Sequence, residues 1–86
     1  MSTSPIERRA LARSVVVSDD ELTVHLADGR AISVPLVWFP RLVNASPTAR
    51  SNWELLGDGD GIHWPEADED LSVEGLLAGN RARGAA

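Results

Sequence analysis

The sequence predicts one small α+β domain, a three-stranded antiparallel meander plus a short fourth strand packed on two or three short helices, in the order β-β-β-α-α-β-α. Three observations carry this. The chain has 86 residues, 43% of them hydrophobic, which suits a single domain with a core and is too apolar for an intrinsically disordered segment. Residues 13–18 carry a β-branched run, and residues 21–27 and 30–36 alternate apolar and polar with the period of two that half-buried strands require. After residue 36 the apolar spacing changes to that of helices, and Ser-Pro and Gly punctuation replaces the alternation.

Val15, Val16 and Val17 form a β-branched run, so residues 13–18 read as the first strand. In residues 21–27, Leu22, Val24 and Leu26 lie on one side, with Thr23, His25 and Ala27 on the other. In residues 30–36, Ile32, Val34 and Leu36 share a side. These faces set the register. A two-residue turn at Asp19-Asp20 sets Val17 opposite Leu22 and Val15 opposite Val24, apolar against apolar. A two-residue second turn at Asp28-Gly29 would set Val24 opposite Ser33 and split the apolar sets between faces. A three-residue turn, Ala27-Asp28-Gly29, sets Val24 opposite Ile32 and Leu22 opposite Val34. A slip of one residue would expose a whole strand's apolar set, so the longer turn is expected, with Gly29 at the left-handed position of a G1 bulge.

Trp38, Leu42 and Ala45 then fall on one helical face. Pro40 is tolerated only in a first turn, which places the start of this helix near Val37. Ser46-Pro47 is a cap and first-position pair for a second helix through Ala49, Trp53 and Leu56, with Gly57 as its terminator. Residues 57–61, Gly-Asp-Gly-Asp-Gly, read as a flexible connection. They lack the further oxygen ligands of a calcium loop and the Lys and Ser/Thr of a phosphate loop. Ile62-His63-Trp64 is a short strand stopped by Pro65, expected at the edge of the meander. Residues 68–70 read as an acidic loop. Ser72 caps a last helix carrying Val73, Leu76 and Leu77, ended by Gly79. Residues 1–12 are expected to be a flexible arm with helical potential from Ile6, residues 13–79 the domain, and residues 80–86 a flexible tail.

The absence of cysteine argues against an oxidising compartment and excludes zinc held by thiolates. No apolar run approaches a membrane span and residues 1–13 lack the apolar stretch of a signal peptide, so a cytoplasmic protein is expected. The net charge is -5 and every basic residue is arginine. Residues 51–80 hold Glu54, Asp58, Asp60, Glu66, Asp68, Glu69, Asp70 and Glu74 with no basic residue. Such a surface repels phosphate, so direct nucleic-acid binding is disfavoured, and it suits a basic partner. The bland alternative is a solvated face that maintains solubility.

At this point the string is familiar. The segments LADGR (26–30), PLVWFPRL (35–42), WELLG (53–57), GIHWP (61–65) and DEDLSVEGLL (68–77) together resemble the bacterial domain-of-unknown-function family number 2442. The likeness spans residues 13–79. It implies a small α+β domain, sometimes joined to a helix-turn-helix segment and often found beside a second small protein in an arrangement like a toxin–antitoxin pair, this domain being the antitoxin-like member. The stretch after Gly79 is too short for a helix-turn-helix segment. No catalytic residue comes with the resemblance.

His63, followed by Glu66 and Asp68, has the residue types of acid–base or metal chemistry, but no thiol nucleophile accompanies it. The structural reading is a histidine that hydrogen-bonds a carboxylate or the backbone and orders the loop. Trp38, Trp53 and Trp64 lie on apolar periods and belong by default to the core. Trp38-Phe39-Pro40-Arg41, where sheet hands over to helix, has the residue types of an interface anchor. For Arg41 and Arg50, pairing with the acidic segment is the structural alternative. The expectation is therefore a non-catalytic protein-interaction module with no cofactor and no metal. Its candidate contact residues are Trp38, Phe39, Arg41, His63, Trp64, Asp68, Glu69 and Asp70. Its expected partner is a small basic protein encoded nearby, and a homodimer is the other assembly considered. The competing class is a DNA-associated regulator or dimerisation unit that uses the arginines at the start.

Overall fold

The computed structural model describes residues 10–81. Of the arm expected over residues 1–12 and the tail expected over 80–86, residues 1–9 and 82–86 lie outside the described residues. Three strands come first: β1 (Ala12–Val17), β2 (Glu21–Leu26) and β3 (Ala31–Pro35), in sheet order β1-β2-β3 and all antiparallel. Val15 faces Val24, Val17 faces Leu22, Val24 faces Ile32 and Leu22 faces Val34, the register that apolar matching requires. The three-residue turn is present, and Gly29 has φ +97. A Cβ there would meet nothing within 4 Å, so only the backbone conformation demands glycine. Gly29→Val should therefore lower stability by about 1–2 kcal/mol, the left-handed penalty of a β-branched residue, with the fold retained. Denaturant unfolding checks this, and no change would show the penalty relieved by loop movement. One irregularity lay beyond the alternation: β1 carries a bulge at Arg13, between Ala12 and Ser14.

A 3-10 turn at Leu36–Trp38 leads into α1 (Pro40–Val43) and α2 (Pro47–Ser51). The helix expected from Val37 thus begins as a tight turn, and the α-helix proper starts at Pro40, whose ring is accepted at the first position. Ser46 caps α2 as anticipated, its Oγ accepting from Ala49 N at 3.0 Å.

Beyond Ser51 the structure corrects the sequence reading. α2 does not continue through Trp53 and Leu56 to Gly57. The chain leaves the helix at Asn52 and enters β4 (Glu54–Leu56), followed by β5 (Gly61–Trp64) and β6 (Glu69–Ser72), a second antiparallel sheet in the order β4-β5-β6. Among the described residues the strands therefore number six rather than four. Residues 62–64 lie in the centre of this sheet, not at the edge of the meander, and residues 69–72 are a strand rather than an acidic loop. The physical reason is that β5 is short and apolar, and one short strand becomes stable only with neighbours on both sides. The glycine-rich stretch is a hairpin turn, with Gly57 and Gly59 both at positive φ. Residues 65–68 make the other turn, closed by Asp68 at φ 53. α3 (Val73–Leu77) follows, with Ser72 Oγ accepting from Gly75 N at 2.9 Å and Gly79 at φ 82 beyond its end.

One core joins the two sheets and the helices. Val15, Leu22, Val24, Leu26 and Val34 of the first sheet meet Ile62 and Trp64 of the second, with Leu36, Phe39, Leu42, Val73 and Leu76 filling between them. Backbone bonds tie the halves: Ala12 N donates to Gly59 O at 2.8 Å and Val73 N to Asp60 O at 2.9 Å.

Candidate functional site

The alternation of the second sheet decides what it presents. Ile62 and Trp64 point into the core, so His63 between them points out. Glu54 pairs with His63 across β4 and β5, and His63 pairs with Asp70 across β5 and β6. Directly paired residues share a face, so Glu54, His63 and Asp70 form a row across the strands, with Leu56 on the same side. His63 Nδ1 and Asp70 Oδ1 are joined by a short hydrogen bond, the carboxylate contact that was one of the two expected for this histidine. The bond to Asp70 raises the His63 pKa above 6.5, partial burial opposes it, and the charges of Asp70, Glu54 and Asp68 add to the rise.

This has a pH consequence. A histidine whose folded pKa is raised contributes stability fully present below its unfolded pKa and lost as pH rises through the folded value. His63→Gln should thus lower the melting temperature most below about pH 6.5, the unfolded value, and progressively less as pH rises above it. A gap independent of pH would show that the imidazolium–Asp70 pair contributes nothing.

The other candidate residues divide by burial. Arg41 Nη1 donates to the backbone carbonyl of Asp68 at 2.6 Å and its charge lies 3.9 Å from the Asp68 carboxylate, so Arg41 and Asp68 brace the β5–β6 turn at the surface. Trp38 is half-buried, its ring edge-on to Phe39 with Arg81 over its face at 4.9 Å. Three residues are withdrawn from the candidate surface. Phe39 is 1% exposed and Trp64 0%, both in the core, and Trp64 Nε1 donates to Arg50 O at 3.0 Å. Glu69 is 8% exposed because it pairs with Trp64 and so shares its inward side. Its Oε1 accepts from Asp70 N at 3.0 Å, while Oε2 has no partner among the described residues.

Three residues escaped the sequence reading. Arg50 was considered as an ion-pair partner of the acidic segment. It is instead buried, donating from Nε to Leu42 O at 2.9 Å, from Nη2 to Val43 O at 2.9 Å and from Nη1 to Asp19 at 2.8 Å. It satisfies the last carbonyls of α1 and ties them to the β1–β2 turn, a role only the folded backbone creates. Glu54 and Leu56 were read as helical. Their available signal was the alternation of Trp53-Glu54-Leu55-Leu56 before two glycines of a turn.

Among the described residues no group of His, Asp and Glu could hold a metal ion. No helix of the described residues is long and apolar enough to cross a membrane.

The profile of a family described as "Protein of unknown function (DUF2442)" matches residues 12–82. This chain belongs to DUF2442. Among curated proteins none matches. Two solved structures share the fold of this DUF2442 domain. A protein of unknown function from Rhodospirillum rubrum, known by crystallography, is 31% identical with a TM-score of 0.75, the match covering 91% of this chain and 96% of that one. An uncharacterised protein from Chromobacterium violaceum, known by solution NMR, is 26% identical with a TM-score of 0.73, over 92% of this chain and 73% of that one.

Proposed function

We propose that this DUF2442 domain is a cytoplasmic, non-catalytic protein-interaction module that uses the outer face of its second sheet to engage a small basic protein. The observation that supports this reading most is the in-register row Glu54–His63–Asp70, beside exposed Leu56 and in a segment without basic residues until Arg81. An array of this kind steers a cationic partner and offers it an apolar contact beside the row. The non-catalytic reading is supported by His63 being held by a carboxylate and by the Ser46 and Ser72 hydroxyls being used as helix caps. The antitoxin-like role implied by the family resemblance is compatible with this surface: the domain would cover a basic site of the nucleic-acid-binding kind on its partner and occlude it.

The DNA-associated alternative gains less from the described arginines. Arg30 is bound by Asp28 at 2.8 Å, Arg50 is buried, and Arg41 braces a turn. The Arg30 guanidinium also holds the Asp28 carboxyl below its usual range.

The test is co-purification with the neighbour-encoded protein, followed by association kinetics at two salt concentrations. The Asp68, Glu69 and Asp70 set is a poor choice for charge reversal, because Glu69 is buried and Asp70 is paired. Glu54→Lys, Asp58→Lys and Glu66→Lys, all exposed, are the clean set. The triple variant should associate several-fold more slowly at low salt and approach the wild type at high salt, since screening acts over about 8–10 Å near physiological ionic strength. Indifference to both salt and reversal would reduce the acidic face to a solvated surface.

A further inference from the structure

Of the four sheet edges, three are guarded. β1 is interrupted by its bulge at Arg13 and α2 packs against it. β3 ends in Pro35 and meets α3. β6 runs directly into α3 and packs on it. β4 is the exception. It packs broadly only on β5 among the described elements and carries no proline and no bulge, so its three-residue length and the charge of Glu54 are what blunt it. Leu55 and Leu56, which point to opposite faces, are 37% and 42% exposed. Natural edge strands are blunted by such devices, very short length among them, because an open row of N–H and C=O groups is a template for another strand.

We infer that β4 is a strand-addition site that takes an extended, basic segment of a partner protein as a fourth strand of the second sheet. The inference rests on the interaction reading above and gives it a mode. Main-chain bonds to β4 would supply the affinity, and side chains alternating across the added strand would supply the choice of partner. On the outer face a cationic side chain meets Glu54 and the row of His63 and Asp70 behind it, while an apolar one covers Leu56. On the other face an apolar side chain lies beside Leu55. A second copy is the weaker occupant. An antiparallel β4–β4 pair would bring two acidic sheets edge to edge in a chain whose net charge is -5.

The probe is a capped peptide of about eight residues alternating arginine and valine, long enough to run past β4. It is titrated into the full chain while backbone amide signals and amide exchange are followed. The expected result is a shift of the Glu54–Leu56 signals with new exchange protection in β4. Leu56→Lys should weaken this at least tenfold without disturbing the remaining spectrum, because that side chain is already exposed. A glutamate–valine peptide, and an arginine peptide with proline in place of valine, should both fail. If the proline peptide binds as well as the valine one, with shifts at His63 and Asp70 and none in β4, only the face attracts cations and the strand-addition site is overturned. Concentration-dependent shifts in β4 without peptide would overturn the basic occupant in favour of self-pairing. Co-elution of a basic partner with no peptide effect on β4 refutes this inference alone. Strand addition of the peptide with no co-eluting partner refutes the functional reading alone.

Discussion

Trp64→Ala should remove about 3–5 kcal/mol of folding stability, a large share of the roughly 5–10 kcal/mol expected for a domain of this size. The ring is fully buried at the meeting of β5 with the first-sheet core, and its removal leaves a cavity that surrounding strands cannot close. It also strips the Arg50 carbonyl of its 3.0 Å donor, and Arg50 in turn holds Leu42 O, Val43 O and Asp19. Trp64→Phe separates the two effects. It preserves most of the volume and should cost about 1–3 kcal/mol, chiefly the unsatisfied carbonyl. Urea or thermal unfolding of both variants is the measurement. A Trp64→Ala loss below about 1 kcal/mol would mean that the second sheet does not depend on this ring.

Gly59→Ala should be nearly as damaging, although it adds a single methyl group. Gly59 has φ +112, and a Cβ there would lie 2.5 Å from the carbonyl oxygen and 2.9 Å from the nitrogen of Ala12. Both neighbours are backbone, so no rotamer change relieves the clash. The substitution combines backbone strain of about 1–3 kcal/mol with the loss of the Ala12 N to Gly59 O bond, worth about 0.5–1.5 kcal/mol, and it pushes the β4–β5 turn away from β1. Gly29→Ala is the control, since its positive φ comes with open space. Gly59→Ala should unfold at clearly lower denaturant than Gly29→Ala, and equal midpoints would show that the sheets do not meet tightly at residue 59.

The acidic character of the candidate surface was legible from charge counting alone, and so, as one of two alternatives, was the histidine–carboxylate contact of His63. Which acid bonds His63 was not. Glu66 and Asp68 are nearer in sequence, but Asp70 faces His63 only because β5 and β6 pair. Glu69 and Asp70 are adjacent, yet strand alternation buries one and exposes the other. A loop reading of residues 68–70 could not distinguish them.

By itself the sequence determined the first sheet. Its strands have five or six residues, and the alternation of β2 and β3 is unbroken, so a slipped register would expose an entire apolar set, and Gly29 closes the turn that matches the faces. It also determined the local stops and caps at Pro40, Ser46, Ser72 and Gly79, whose chemistry acts within a few residues. The tertiary structure decided the second sheet. Residues 53–56 satisfy a helical spacing with Ala49 and a strand alternation equally well, and three residues carry too little periodicity to choose. Ile62 and Trp64 must be covered on one face and hydrogen-bonded on both sides. That non-local demand outweighs the weak local preference for extending α2 and pairs residues 54–56 with β5.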